Sequence, residues 1–370
     1  MTNMEPLRSE QDICLRLKGF DYIDLYVGNS VQASHFYRTA FGFRPLFYAG
    51  LETGLRDRQS LVLQQSGIRL MLTSPLDPDS KIAEHIGKHG DGVKDIAFEV
   101  DDAEEVFEKA VRRGARPLLE PTVLEDENGL VIKATIAACA DIIHSFVQRY
   151  DYCGGFLPNF RLIEGRVPAR ESGLVSVDHI AFGVEPGTLN EWVEFYGNVF
   201  GFHQSSHTDI LTEYSGMNSK VVQNSTGEIK FPLVEPGQGK RRSQVEEFLE
   251  FHRGPGAQHI AFLTNDIVAT VRSLRANGIE FLKTPDSYYD VLEERVGKID
   301  IDVSALRELD ILVDRDEWGY LTQIFTKAVQ NRPTFFLEII QREGARGFGA
   351  GNIMALFQAV EREQAVRGNL

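Results

Sequence analysis

Glu338 stands alone among apolar neighbours in the run Thr334-Phe335-Phe336-Leu337-Glu338-Ile339-Ile340-Gln341-Arg342. On an extended strand alternate side chains share a face, so Phe336, Glu338 and Ile340 point one way and Phe335, Leu337 and Ile339 the other. A lone carboxylate in such a strand costs on the order of several kcal/mol unless a cation sits beside it. An internal repeat supplies the partners. Aligning the two halves of the chain places Tyr22, Asp95 and Ser145 of the first opposite His179, His259 and Glu338 of the second. The second half thus has three good metal ligands at equivalent strand positions, and the first has only Asp95. Two His and one carboxylate on one side of a metal, with the other positions open, is the facial set of non-haem Fe(II) oxygenases. His35, His85, His89, His144, His203, His207 and His252 show no such spacing and read as surface or packing residues.

The elements that must position these ligands recur in order. Phe20-Asp21-Tyr22-Ile23-Asp24-Leu25-Tyr26-Val27 reads as a strand, followed by a helix from Val31 to Ala40 that ends in Phe41-Gly42-Phe43. Val177-Asp178-His179-Ile180-Ala181-Phe182-Gly183-Val184 repeats it, with a helix from Leu189 to Val199 ending in Phe200-Gly201-Phe202. A second pair of strands, Gly92 to Phe98 and Gly256 to Phe262, precedes helices Ala103 to Arg112 and Ile267 to Ala276, which stop at Gly114 and Gly278. The third pair sets His144 to Arg149 against Leu337 to Arg342. Each half is therefore strand, helix and several strands, used twice: an α+β chain with domains expected at 13–160 and 174–370. The irregular segment Arg161 to Gly173, broken by Pro168, reads as the linker. His259 lies further from Glu338 than Asp95 does from Ser145, which predicts an insertion between Tyr288 and Leu309.

Composition narrows the class. The chain has 370 residues, room for two full cores, and a net charge of -15. That charge argues against nucleic acid and anionic membrane surfaces, since the basic run Lys240-Arg241-Arg242 is too short to offset it. No apolar run reaches the length of a membrane span, and Met1 to Asp12 is polar, without the apolar core of a signal peptide. A cytoplasmic protein is expected. Cys14, Cys139 and Cys153 lack zinc or redox spacing and read as reduced.

Several long strings resemble the 4-hydroxyphenylpyruvate dioxygenase family of the vicinal-oxygen-chelate superfamily: Gly256-Ala257-Gln258-His259-Ile260-Ala261, Gly319-Tyr320-Leu321-Thr322-Gln323-Ile324-Phe325-Thr326, Arg332-Pro333-Thr334, and Glu338 through Arg342. Tyr288-Tyr289, Gly347-Phe348-Gly349-Ala350-Gly351-Asn352 and Glu361-Arg362-Glu363-Gln364 extend the resemblance over nearly the whole chain. It implies paired βαβββ modules in each half, a largely structural N-terminal domain, and Fe(II) held by His179, His259 and Glu338 in a C-terminal barrel. It also implies that Ser219, Gln244, Gln258 and Gln323 orient the substrate or the metal shell, Gln258 and Gln323 with a catalytic part. Phe325, Phe336, Phe348 and Phe357 would form an aromatic wall, with Asn352 beside it. A helix from Asn352 to Gln364 sets Ile353, Leu356, Phe357 and Val360 on one stripe and suits a lid. The partners implied are a small 2-oxo acid and dioxygen, in an enzyme expected to be a homo-oligomer.

Departures from the family pattern bear on the product. Val234 stands where the dioxygenase pattern has Asn, Ile353 where it has Phe, and Thr322 where it has Leu. The first removes a hydrogen-bonding side chain from the substrate cavity and the second an aromatic face. The related hydroxymandelate synthase branch looks aliphatic at both. A shift of about 1 Å in the ring's position can redirect such chemistry, so the pocket predicts 4-hydroxymandelate, with homogentisate as the alternative. An extradiol ring-cleaving dioxygenase uses the same ligand set and remains a third reading.

Overall fold

The computed structural model describes residues 14–165 and 169–369. Met1 to Asp12, Pro168 and the outermost domain bounds, 13 and 370, lie outside the described residues. The first half runs β1 (Leu17–Tyr26), the helix Ser30–Phe41, β2 (Arg44–Ala49), β3 (Arg58–Gln65), β4 (Ile68–Pro75) and the helix Lys81–His89. It continues with β5 (Gly92–Val100), the helix Ala103–Arg112, β6 (Pro117–Asp126), β7 (Gly129–Ala137), β8 (Ile143–Tyr150) and a short β9 (Arg161–Leu162). The second half repeats this with β10 (Leu174–Gly183), the helix Leu189–Phe195, β11 (His203–Leu211), β12 (Gly216–Gln223), β13 (Lys230–Gly237) and the helix Gln244–His252. After β14 (Gly256–Thr264) and the helix Ile267–Ala276 come β15 (Leu312–Arg315), β16 (Tyr320–Phe325), β17 (Phe336–Glu343) and the long helix Ala350–Arg367.

The two sheets share one strand order. It is β6-β7-β8-β5-β1-β4-β3-β2-β9 in the first and, read from the other end, β11-β12-β13-β10-β14-β17-β16-β15 in the second. Each is two βαβββ modules joined at their first strands, β1 to β5 and β10 to β14, which pair antiparallel. The repeat extends to backbone irregularities. A register shift falls between Phe20 and Tyr22 in β1 and between Val177 and His179 in β10, immediately ahead of the inward-facing residue in each half. Such bulges bend the strand and re-aim a side chain. The two Phe-Gly-Phe motifs end their helices alike: Gly42 and Gly201 have φ of 80° and 76°, the left-handed region that a Cβ disfavours.

Three short helices, Ser287–Asp290, Leu292–Val296 and Val303–Glu308, occupy the place of the expected insertion. The predicted helix Leu189–Val199 is interrupted: its last turns, Tyr196–Phe200, widen to π geometry. The halves share an apolar core in which Phe98, His144, Phe200 and Phe231 pack ring on ring. Cys14, Cys139 and Cys153 are free. Among the described residues no helix is long and apolar enough to cross a membrane.

Candidate metal centre

The three ligand candidates come from three adjacent strands: His179 from β10, His259 from β14 and Glu338 from β17. Parallel pairing of β14 with β17 sets Ala261 opposite Glu338, as β5 with β8 sets Ala97 opposite Ser145, so the sequence repeat and the register agree. A Glu338 carboxylate oxygen lies 3.2 Å from His179 Nε2 and 3.5 Å from His259 Nε2. All three residues are buried, Glu338 at 2% exposure, and one ligand atom from each lies within 4.8 Å of the others. Among the described residues no Lys or Arg pairs with Glu338. A buried carboxylate faced only by imidazole nitrogens is a donor set that a divalent cation would complete.

The surroundings fix both rings. His179 Nδ1 is 2.8 Å from Asp178 Oδ1. Asp178 is in turn gripped by Arg342, whose Nε and Nη2 donate at 2.7 and 2.9 Å, and Lys230 lies 3.6 Å away. An Nδ1–H donated to Asp178 leaves the Nε2 lone pair for a metal. Gln258 Oε1 lies 3.3 Å from His259 Nδ1 and does the same more weakly. The His259 ring stacks on Phe336 at 4.7 Å and 23°, and the edge of Phe348 meets His179 at 5.0 Å.

Electrostatics divide the set. Burial opposes a charge on His179, but Glu338 and Asp178 override it and hold its pKa above the ordinary value. Burial drives His259 below the ordinary range, so it stays neutral. For Glu338 burial pushes upward, yet the two imidazoles hold it lower than a usual glutamate. Asp178, buried, is kept well below the carboxylate range by Arg342.

A cavity of about 60 Å³ opens on the triad. Of the residues expected at the substrate, Ser219, Val234, Gln244, Gln258, Gln323, Phe325, Phe348 and Ile353 line it. Gln323 Oε1 is buried there without a hydrogen-bond partner. Three residues expected at the cavity stand behind its wall. Asn352 is fully buried with its amide 2.7 Å from the Tyr288 hydroxyl, because the helix begins at Gly349–Ala350 and turns that side chain toward β15. Phe357 packs in an apolar cluster with Val234 and Val245 rather than facing the space. Phe336 is spent on stacking against His259 and lines an adjoining small cavity. Leu356, from the stripe of the lid helix, lines the site too, and Ser206, Thr208, Met217, Val221 and Pro232 line it and were not anticipated. A signal for some of them existed, since Met217, Ser219 and Val221 alternate along β12 as Pro232 and Val234 do along β13.

The helix Ala350–Arg367 covers the cavity with Ile353 and Leu356 and is latched along its C-terminal half. Glu361 accepts from Thr212 Oγ1 at 2.6 Å and Ser215 Oγ at 2.5 Å. Arg367 donates to Glu247 at 2.6 and 3.1 Å.

Among the described residues the interior of the first barrel does not repeat this triad. At the equivalent place Lys133 Nζ lies 2.7 Å from Tyr22 OH and 3.3 Å from Asp95 Oδ2. An ammonium group stands where the second half leaves room for a metal.

Residues 19–133 and 176–324 match the Glyoxalase/Bleomycin resistance protein/Dioxygenase superfamily. The chain is 43% identical to the 4-hydroxyphenylpyruvate dioxygenase of Aspergillus fumigatus, over 95% of this chain and 94% of that one. It is 42% identical to that of Dictyostelium discoideum, over 96% and 100%. Among solved structures, a mutant of 4-hydroxymandelate synthase from Streptomyces coelicolor superposes with a TM-score of 0.86 at 40% identity, covering 94% of this chain and 99% of that one. With the duplicated βαβββ fold and a buried His-His-Glu set in its second barrel, the chain belongs to the 4-hydroxyphenylpyruvate dioxygenase family.

Proposed function

We propose that this chain converts 4-hydroxyphenylpyruvate and dioxygen to carbon dioxide and 4-hydroxymandelate, using Fe(II) held by His179, His259 and Glu338. When bound, the metal supplies a centre at which the 2-oxo acid and dioxygen meet, with the 2-oxo acid as reductant. The chain's own residues do the positioning. Asp178 and Gln258 hold the imidazoles in the tautomer that presents Nε2. Gln323, with a free carbonyl oxygen in the cavity, accepts the substrate's phenolic hydroxyl, and Ser219 and Gln244 offer further polar contacts. Phe325 and Phe348 flank the ring, and Ile353 and Leu356 close the helix over it and keep water out. The first half supplies none of the three residues that would hold the metal.

The observation that carries the choice of product is the pairing of Val234 and Ile353 in one apolar cluster on the cavity wall. An aliphatic wall without an amide or a ring lets the substrate's aromatic ring settle toward it, so that the benzylic carbon lies nearest the oxidant. The second reading, ring attack with side-chain migration to homogentisate, is favoured by the names of the relatives at 42–43% identity. Product identification by mass and retention decides between them. Native protein should give 4-hydroxymandelate, and Ile353→Phe should move part of the flux to homogentisate. Homogentisate as the sole product of the native protein would overturn the proposal.

A further inference from the structure

The interior of the first barrel holds a cavity of about 570 Å³, far larger than the one at the triad and within the size range of about 300–1,000 Å³ typical of small-molecule sites. Tyr22, Asp24 and Tyr26 face it from alternate positions of β1, and Asp95, Lys133 and Thr73 join them. Asp24 is 6% exposed. Its carboxylate takes one hydrogen bond, from Thr73 Oγ1 at 2.8 Å, and among the described residues it has no ion pair. Asp95 Oδ2 accepts from Ser145 Oγ at 2.6 Å and from the Tyr22 hydroxyl and Lys133 at 3.3 Å each, while its Oδ1 is buried with no partner. Two carboxylates therefore face this floor against one ammonium. Arg58, at the rim, is engaged by Asp57 at 2.8 Å. The walls are apolar: Leu55, Met71, Leu119, Leu157 and Phe160.

We propose that the first barrel is a binding site for a small primary ammonium carrying an apolar, ring-sized body. The ammonium seats between Asp24 and Asp95, and the body lies against the leucines and Phe160. A buried carboxylate with unused lone pairs and no cation is costly, and a charge-assisted N–H···O bond removes that cost. A neutral alcohol would leave the floor one positive charge short, and a carboxylate would meet two like charges. The fold adds a reason: the second half uses the same barrel interior, at equivalent strand positions, for its candidate metal centre.

The test is calorimetric titration at pH 8, where Asp24 is ionised, of the full-length, iron-loaded protein with 2-phenylethylammonium, 2-phenylethanol and 3-phenylpropionate, which share one body and differ in charge. The ammonium should bind at one site per chain, the alcohol at least tenfold more weakly, and the anion not at all. Asp24→Asn should weaken ammonium binding at least tenfold. Leu119→Trp, at a partly exposed position of the mouth where folding is not at stake, should block it. Oxygen uptake with an arylpyruvate should be unchanged in both variants. Absence of binding to the native protein, equal binding of 3-phenylpropionate, or binding unaffected by both substitutions would overturn the proposal.

Discussion

Replacing Asp178 by Asn should weaken metal binding by about 10- to 100-fold while leaving every ligand in place. The native carboxylate receives His179 Nδ1 at 2.8 Å and two Arg342 nitrogens at 2.7 and 2.9 Å, so both of its oxygens act as acceptors. An amide has one oxygen and one NH2. If the oxygen faces His179, the NH2 meets the Arg342 donors; if it is turned around, His179 must place its proton on Nε2, where the metal should be. Either arrangement loses a charge-assisted bond, and the expected fold-change corresponds to about 1.4–2.7 kcal/mol. The metal-free protein should suffer as well. Arg342, with 12% side-chain exposure, would lose its buried counter-charge, a loss worth about 3–5 kcal/mol when one partner of a buried pair is removed. Competition against a chromophoric chelator with Co(II) measures the affinity, and urea unfolding of the metal-free protein measures the stability. An affinity within twofold of native together with an unchanged unfolding midpoint would refute the idea that Asp178 transmits Arg342's hold to His179.

His179→Ala, His259→Ala and Glu338→Ala should each abolish metal binding or turnover, whereas Tyr22→Phe and Ser145→Ala should keep full metal content by elemental analysis. Glu361→Ala frees the Thr212 and Ser215 hydroxyls that latch the long helix; the expected result is oxygen consumption in excess of product, read by comparing an oxygen electrode with carbon dioxide release. Asp24 gives a pH signature away from the metal. Burial raises its pKa to about 7, above the value of about 3.9 in an unfolded chain, so the folded state favours the protonated form. Its contribution to stability is present below about pH 4 and is lost as pH rises toward 7, and Asp24→Asn should therefore be the more stable form by up to about 4 kcal/mol at pH 8 and show little gain at pH 4. Equal unfolding free energies of the two proteins at pH 8 would count against it.

Much of the candidate centre was legible in the chain because a duplicated sequence carries its own alignment. The paired Phe-Gly-Phe motifs and the recurring strand patterns set Tyr22 against His179, Asp95 against His259 and Ser145 against Glu338, and strand alternation placed Phe336 and Glu338 on one face. These are local regularities: a period of two, a helix stop, a glycine at positive φ. The insertion near 287–308 and the long C-terminal helix were readable for the same reason. What only the tertiary structure decided are contacts between residues remote in sequence. Asp178 and Arg342 are 164 positions apart and meet because β10 and β17 flank β14 in one sheet. Lys133 reaches the place of a metal in the first barrel because β7 curls over it, and no pattern along the chain marks that lysine among the others. Asn352, Phe336 and Phe357 belong to the right motifs, yet the rotation of one helix and the stacking of one ring turn them away from the cavity. Periodicity assigns a side chain to a face, whereas the packing of three-dimensional neighbours decides whether that face meets a cavity, a ring or another chain segment.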